Sequence, residues 1–180
     1  VDQGPASKAP VSSAPTVGAS FDALSVACGC APPDTNSAVG PNHIVTTVNT
    51  QFIVQSKTGT TLYGPANTNV VWSGFGGPCQ STNDGDPVVR YDVLNDRFVI
   101  SQFANVGSAS GPYYECVAVS TGSDPTSTWY RYAFQYSNFP DYPKLGVWPD
   151  GYYVTFNMFS SAGAWVGPTA CALNRANMLT

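Results

Sequence analysis

Apolar and polar positions alternate along much of this chain, and three stretches repeat one pattern at a constant interval. They are His43-Ile44-Val45-Thr46-Thr47-Val48, Arg97-Phe98-Val99-Ile100-Ser101-Gln102 and Tyr152-Tyr153-Val154-Thr155-Phe156-Asn157. Ile44 lies 54 residues before Phe98, and Phe98 lies 55 before Tyr153. Each stretch follows a short apolar run and a polar turn: Ala38-Val39-Gly40-Pro41-Asn42, Val88-Val89-Arg90-Tyr91-Asp92 and Leu145-Gly146-Val147-Trp148-Pro149-Asp150. Alternation at period two reads as a half-buried antiparallel strand. A strand-turn-strand unit recurring at roughly 50 residues is the mark of a β-propeller blade.

The strands fall into three repeats, near 34–80, 86–136 and 141–180. In the first, strands are expected at 51–55 and 60–63, before a glycine-rich crossing loop over 72–79. In the second, 114–119 and 129–134 supply the third and outer strands. The third repeat reaches its third strand around 170–173, and 174–179 reads as a helical turn. The expected fold is all-β, with about three four-stranded antiparallel blades, the last one incomplete. A propeller closes with about four to eight blades. Open blade edges aggregate or recruit a partner, so a second polypeptide, further copies or a missing remainder is expected to complete the ring. Residues 1–30 read as an extended arm or linker, because Pro-Ala-Ser-Lys-Ala-Pro-Val-Ser-Ser-Ala-Pro cannot bury a core.

Composition sharpens this picture. Only 10% of the 180 residues are charged, with ten aspartates, one glutamate (Glu115) and three lysines, while Gly 17 and Pro 15 are abundant. That balance favours short strands and tight turns over solvated helices. A formal charge of -4 argues against nucleic acid, which needs clustered Lys and Arg. No stretch approaches the roughly 20 apolar residues of a membrane-spanning helix. The chain opens Val-Asp-Gln without Met, as if already processed, so a secreted or cell-surface location is expected. Five cysteines, Cys28, Cys30, Cys79, Cys116 and Cys171, are read as disulfide-forming rather than metal-binding, since His43 is the single histidine and no Cys-x-x-Cys pair exists. Cys28 and Cys30 are expected to bond to separate partners. The odd count implies a free thiol or a bond to another chain.

Pro32-Pro33-Asp34-Thr35-Asn36 with Ala38-Val39-Gly40-Pro41-Asn42-His43, Trp72-Ser73-Gly74-Phe75-Gly76-Gly77, Asn83-Asp84-Gly85-Asp86-Pro87-Val88-Val89-Arg90-Tyr91-Asp92 and Ser101-Gln102-Phe103 form a set with the run 139–153. As a set they resemble a family of uncharacterised exported bacterial β-propeller proteins, often found in multidomain cell-surface polypeptides. The resemblance covers residues 31–180 and implies fold and export. It implies no reaction.

Candidate chemistry centres on an aspartate at the entry of each repeat: Asp34, Asp86 and Asp141. The inner strands of a propeller surround its channel, so these carboxylates are expected near one mouth. Converging like charges raise one another's pKa or recruit a cation, and calcium suits Asp, Asn and carbonyl oxygens. The alternative is that each Asp caps its own turn. Asn83, Asp84 and Asp86 have the spacing of the start of a calcium loop but lack the rest of that pattern, so a turn is favoured. Lys144 and Arg90 either face an anionic ligand or neutralise the aspartates. Tyr142, Trp148 and Trp72 either stack on a sugar or wedge the sheets apart. Glycosidase chemistry needs two carboxylates about 5–9 Å apart, and Glu115 is set aside because its strand lies away from the channel. No Gly-x-Ser-x-Gly elbow is present, and His43 reads as a turn residue. The expected function is an extracellular binding or assembly module, with glycan as ligand. The alternatives are a carbohydrate-active hydrolase or lyase using the aspartates, and a filament subunit that pairs through its arm and edges.

Overall fold

A computed structural model of the chain describes residues 16–180. Eleven strands form three antiparallel sheets among the described residues, each sheet a meander in sequence order. The first contains β1 (Asn36–Val39), β2 (His43–Val48), β3 (Gln51–Ser56) and β4 (Thr61–Asn67). The second contains β5 (Gly85–Asp92), β6 (Arg97–Ala104), β7 (Tyr113–Ser120) and β8 (Trp129–Tyr136). The third has three strands, β9 (Phe139–Val147), β10 (Gly151–Phe159) and β11 (Trp165–Asn174), which leaves β11 as an unpaired edge. A 3₁₀ turn, Ala176–Met178, follows it.

The strand sequences differ because their surroundings differ. β6 and β7, RFVISQFA and YYECVAVS, are nearly continuous apolar runs and are buried on both faces. One face packs Phe98, Ile100, Cys116 and Ala118 against Val45, Phe52, Val54 and Trp72 of the first sheet and its connection. The other packs Val99, Val117 and Val119 against Tyr152, Val154, Phe156 and Met158 of the third sheet. Each fully buried Val or Phe contributes about 1.5–3 kcal/mol. β10, GYYVTFNMF, instead alternates, with Tyr153, Thr155 and Asn157 exposed.

Polar side chains tie the first strands of the sheets together. Arg90 on β5 donates through Nη1 to Asn36 Oδ1 and the Val89 carbonyl, and through Nε to the Leu145 carbonyl on β9, each at 2.9 Å. Asn36 Oδ1 also accepts from the Val89 amide at 2.9 Å.

Between the first and second sheets the chain is more ordered than a glycine-rich loop. It forms a 3₁₀ turn, Thr68–Trp72, and a short helix, α1 (Gly77–Ser81). Pro78 starts the helix where a missing N–H costs nothing. Gln80 Oε1 accepts from the amides of Gly74 and Gly76 at 3.0 and 2.8 Å, and a Cys79–Cys116 disulfide fastens α1 to β7. Cys28 and Cys30, expected to find separate partners, are bonded to each other. Gly29, at φ +66, turns the chain so that the two Cα atoms lie 5.2 Å apart, within bonding range. Cys171 is the cysteine left without a partner within the chain.

The expected arm covers 1–30, of which 1–15 lie outside the described residues. Residues 16–30 run without helix or strand and lie on this chain's own first sheet. Gln55 donates to the Asp22 carbonyl at 3.1 Å, and Phe21 packs beside Gly59. Among the described residues no helix is long and apolar enough to cross a membrane.

The second and third sheets are joined by a buried ion pair. Asp92, at the end of β5, has no exposed surface. Arg175, just after β11, reaches it with Nε at 2.6 Å and Nη2 at 2.8 Å, and Nη1 donates to the Pro149 carbonyl at 2.7 Å. The Tyr152 hydroxyl adds a bond of 2.9 Å, and the amides of Leu94 and Asn95 add two more. Burial alone pushes the Asp92 carboxyl upward, but hydrogen bonds from Arg175, Tyr152 and Asn95 outweigh it and hold its pKa below the ordinary value. This pair therefore contributes stability that is present above the ordinary carboxylate pKa and is lost as pH falls through the folded value. Replacing Arg175 by Met strands the carboxylate and is expected to cost about 3–5 kcal/mol at pH 7, measured by equilibrium urea unfolding. The loss should shrink as acid protonates Asp92. An equal loss at pH 3 and pH 7 would show that packing, not charge, is the cause.

Candidate functional site

The first strands of the three sheets, β1, β5 and β9, run side by side, and their entry segments meet. There they form a cleft of about 320 Å³ whose lining includes Asp34, Asn36, Asp86, Arg90, Tyr142 and Lys144. Asp34 and Asp86 both have positive φ, +46 in each case, and Tyr142 has +54. Such a conformation is uncommon outside glycine, though tolerated best by Asp and Asn, and its recurrence at two repeat entries marks a held geometry.

Asn49, at the turn between β2 and β3, does much of the holding. Its amide nitrogen donates to Asp34 Oδ2 at 2.5 Å and to the Pro32 carbonyl at 3.2 Å, while its oxygen accepts from the Asp86 amide at 2.7 Å. Gly85 is required beside it. A Cβ at Gly85 would stand 2.9 Å from Asn49 Oδ1, and φ there is +128.

The carboxylates feel one another. Asp86 is pushed up to about 6 by burial, then by the charge of Asp34 and a hydrogen bond with it, and then by Asp141, with Asn49 pulling the other way. Asp141 is raised by burial and by Asp34, against hydrogen bonding from the Tyr142 amide and the charge of Lys144. Lys144 Nζ sits 3.0 Å above the Tyr142 ring centroid, and Tyr142 is 53% exposed.

The remaining candidates fall elsewhere. Trp148 is exposed at the opposite end of β9, in the turn to β10, away from the cleft. Trp72 has no exposed surface and belongs to the core between the first two sheets. Asn83 accepts from the Asn69 amide and donates to the Thr50 carbonyl, and Asp84 accepts from the Val106 amide. These two side chains are engaged in loop hydrogen bonds, whereas Asp86 faces Asp34. Among the described residues no group of three or more His, Cys, Asp or Glu side chains is arranged to hold a metal ion. His43 lies 3.7 Å from Asp124.

Glu115, set aside from the sequence, is the most perturbed carboxyl of the chain. It has no exposed surface, and neither oxygen has a hydrogen-bond partner among the described residues. Burial pushes it up to about 8, the neighbouring Ser101 hydroxyl pulls the other way without a formed hydrogen bond, and the charge of Asp86 raises it further. It is a neutral acid buried on the middle sheet near the aspartate cleft. Its place on a third strand, away from the channel, set it aside, and nothing in the sequence marked its missing partners.

No family model, curated protein or solved structure matches this chain. The site therefore rests on its own geometry.

The three raised carboxyls, Asp86, Asp141 and Glu115, make stability fall as pH rises. Each contributes fully below its unfolded pKa and loses that contribution as pH climbs to the folded value. For Asp86 the window runs from 3.8 to about 6, and for Glu115 from 4.5 to about 8. Glu115→Gln is expected to flatten the decline between pH 6 and 8 and to stabilise the protein at pH 8 by roughly 3–5 kcal/mol. Asp86→Asn should flatten the part below pH 6. Thermal melts across pH 4–8 check both, and parallel curves for wild type and variants would refute the assignment.

Proposed function

We propose that the three sheets are blades of a β-propeller and that the chain is an exported binding and assembly module. Its cleft, lined by Asp34, Asp86 and Tyr142 with Asp141 beside it, receives a hydroxyl-rich ligand of glycan type. The observation that carries this reading is the meeting of three repeat entries in one cleft, with a carboxylate from each nearby and the exposed Tyr142 ring at its edge. Carboxylates accept hydrogen bonds from sugar hydroxyls, and an exposed aromatic ring takes the apolar face of a sugar.

Export is supported by two intrachain disulfides, which persist in oxidising compartments. Assembly is supported by the unpaired ten-residue edge of β11, where Trp165 and Val166 are exposed. A long apolar edge invites strand addition by a partner.

A hydrolytic reading has one specific support, the proton that Asp86 keeps up to about pH 6, since a raised carboxyl is a general acid. Asp34 and Asp86 are in hydrogen-bond contact, closer than the roughly 5 Å or more that separates a glycosidase pair. Asp86 and Asp141 are then the pair to examine.

Binding of neutral oligosaccharides by calorimetry tests the reading. Tyr142→Ala is expected to weaken binding about tenfold or more, with the melting temperature preserved. Unchanged affinity would remove the cleft as the site. If the same sugars are cleaved, and Asp141→Asn abolishes cleavage but not binding, the hydrolytic reading replaces it. Light scattering of the native material should show a defined oligomer or a second polypeptide, and a compact monomer would overturn the assembly claim.

A further inference from the structure

A second concave site lies between the outer strands of the first two sheets. Its volume is about 360 Å³, and it shares no residue with the aspartate cleft. The floor is apolar, built on Phe52 and Val71, both buried. Tyr63 stacks on Phe52, with ring centroids 5.6 Å apart and planes inclined by 29°. Tyr63 is 41% exposed, so much of its ring remains open to the groove. Across from it, Trp129 is half-buried against the same core.

The rim carries neutral hydroxyls and one charge. Ser73 comes from the connection between the sheets, and Thr126, Ser127 and Thr128 come from the turn before β8. Arg131 is the one ionic side chain in the lining, with no carboxylate beside it there. Its Nη1 donates to the Ser73 carbonyl at 2.5 Å, and its guanidinium carbon lies 5.9 Å from the Phe75 ring centroid.

Both walls are held in place. Asp124 accepts from the Thr126 amide and hydroxyl at 2.9 and 2.8 Å, and the Thr121 and Thr128 hydroxyls are bonded at 2.8 Å. On the other side, Gln80 and the Cys79–Cys116 disulfide fix the segment that carries Ser73. A preformed site binds without the cost of ordering itself.

This combination selects its ligand. Aromatic walls above an apolar floor accept a ring with an apolar face, and hydroxyls at the rim suit a hydroxylated ring. A single arginine complements a single carboxylate, which it binds in a planar fork, and the carboxylate bordering the rim, Asp124, is engaged by the amide and hydroxyl of Thr126. A polyphosphate chain would need several clustered cations, and this groove has one.

We propose that the groove binds a carboxylated sugar, a hexuronic acid unit of an acidic glycan, with Tyr63 and Trp129 against the ring and Arg131 on the carboxylate. The site is independent of the aspartate cleft, so either can fail without the other.

The test is calorimetry of the full chain with trigalacturonate, neutral trigalactose and a proline-rich decapeptide, at about 0.1 M and about 0.5 M salt, where charges are screened over about 10 and about 4 Å. Trigalacturonate is expected to bind about tenfold or more tightly than trigalactose. Arg131→Gln should abolish that preference, and Tyr63→Ala should weaken both sugars. Tyr63 and Arg131 are chosen over Trp129 because Trp129 also packs against the core, and unchanged melting temperatures confirm that both variants fold. Equal affinity for the two sugars, unchanged binding by Arg131→Gln, no binding at all, or tighter binding of the peptide would each overturn the proposal.

Discussion

The middle sheet carries apolar side chains on both faces, so neither face can be left to water. Phe98 and Ile100 point one way, and Val99 points the other. Alternation along β6 therefore demands a neighbour on each side. Stacking a sheet on each face brings β1, β5 and β9 side by side. Arg90, bonded to all three first strands, is the consequence at side-chain level. Once those strands are aligned, their entry segments have to converge, and the aspartate cleft is where they do so. The cleft is thus a by-product of hydrophobic burial several residues away.

Much of this order was legible in the chain because it rests on period-two patterning. The 54- and 55-residue spacings correspond to one sheet each, and strands expected at 51–55, 114–119 and 129–134 lie within β3, β7 and β8. The part that was not legible depends on contacts across long sequence distances. Arg175 follows its partner Asp92 by 83 residues, and nothing local distinguishes it from a surface arginine. Asn49 reads as a turn residue, yet it bridges two repeat entries 52 residues apart. The segment 72–79 is glycine-rich and so reads as loop. Its order comes from Gln80 and from a disulfide to β7, neither of which propensity encodes. Asp34 and Asp86 were visible as a repeating position, but their positive φ, shared in the third repeat by Tyr142 rather than Asp141, belongs to tertiary structure.

The two buried acids of the middle sheet make an instructive contrast. Asp92 and Glu115 both have no exposed surface, yet they resolve the cost of burial in opposite ways. Asp92 stays charged because a guanidinium, a phenol and backbone amides supply partners. Glu115 has no such partners and gives up its charge instead. A buried ion pair is a weak source of net stability but a strong penalty on any arrangement that separates it. Asp92 therefore specifies how the second and third sheets meet. Glu115 specifies nothing of that kind, and a glutamine would fill its place with less cost at neutral pH. Its link to the cleft is electrostatic: the charge of Asp86 adds to the effect of burial in keeping the proton on Glu115.

Sheets that twist cannot stay in contact along their whole length, so stacked sheets part where the packing ends. The inner parting, where β1, β5 and β9 begin, collects residues that the repeat places at equivalent positions, Asp34, Asp86 and Tyr142, each with positive φ, and sets Arg90 and Lys144 beside the two carboxylates. The outer parting, where β4 approaches β8, draws its lining from segments that do not repeat: the connection through Ser73 and the turn through Thr126. Repetition thus produces a strained cleft in which two carboxylates face an arginine and a lysine, and its absence permits an aromatic groove with a single arginine. Ligand selectivity in such an architecture is set less by the strands, which the core constrains on both faces, than by which connections border each gap. Changes in those connections can alter what the outer groove recognises while leaving the stacking that forms it intact.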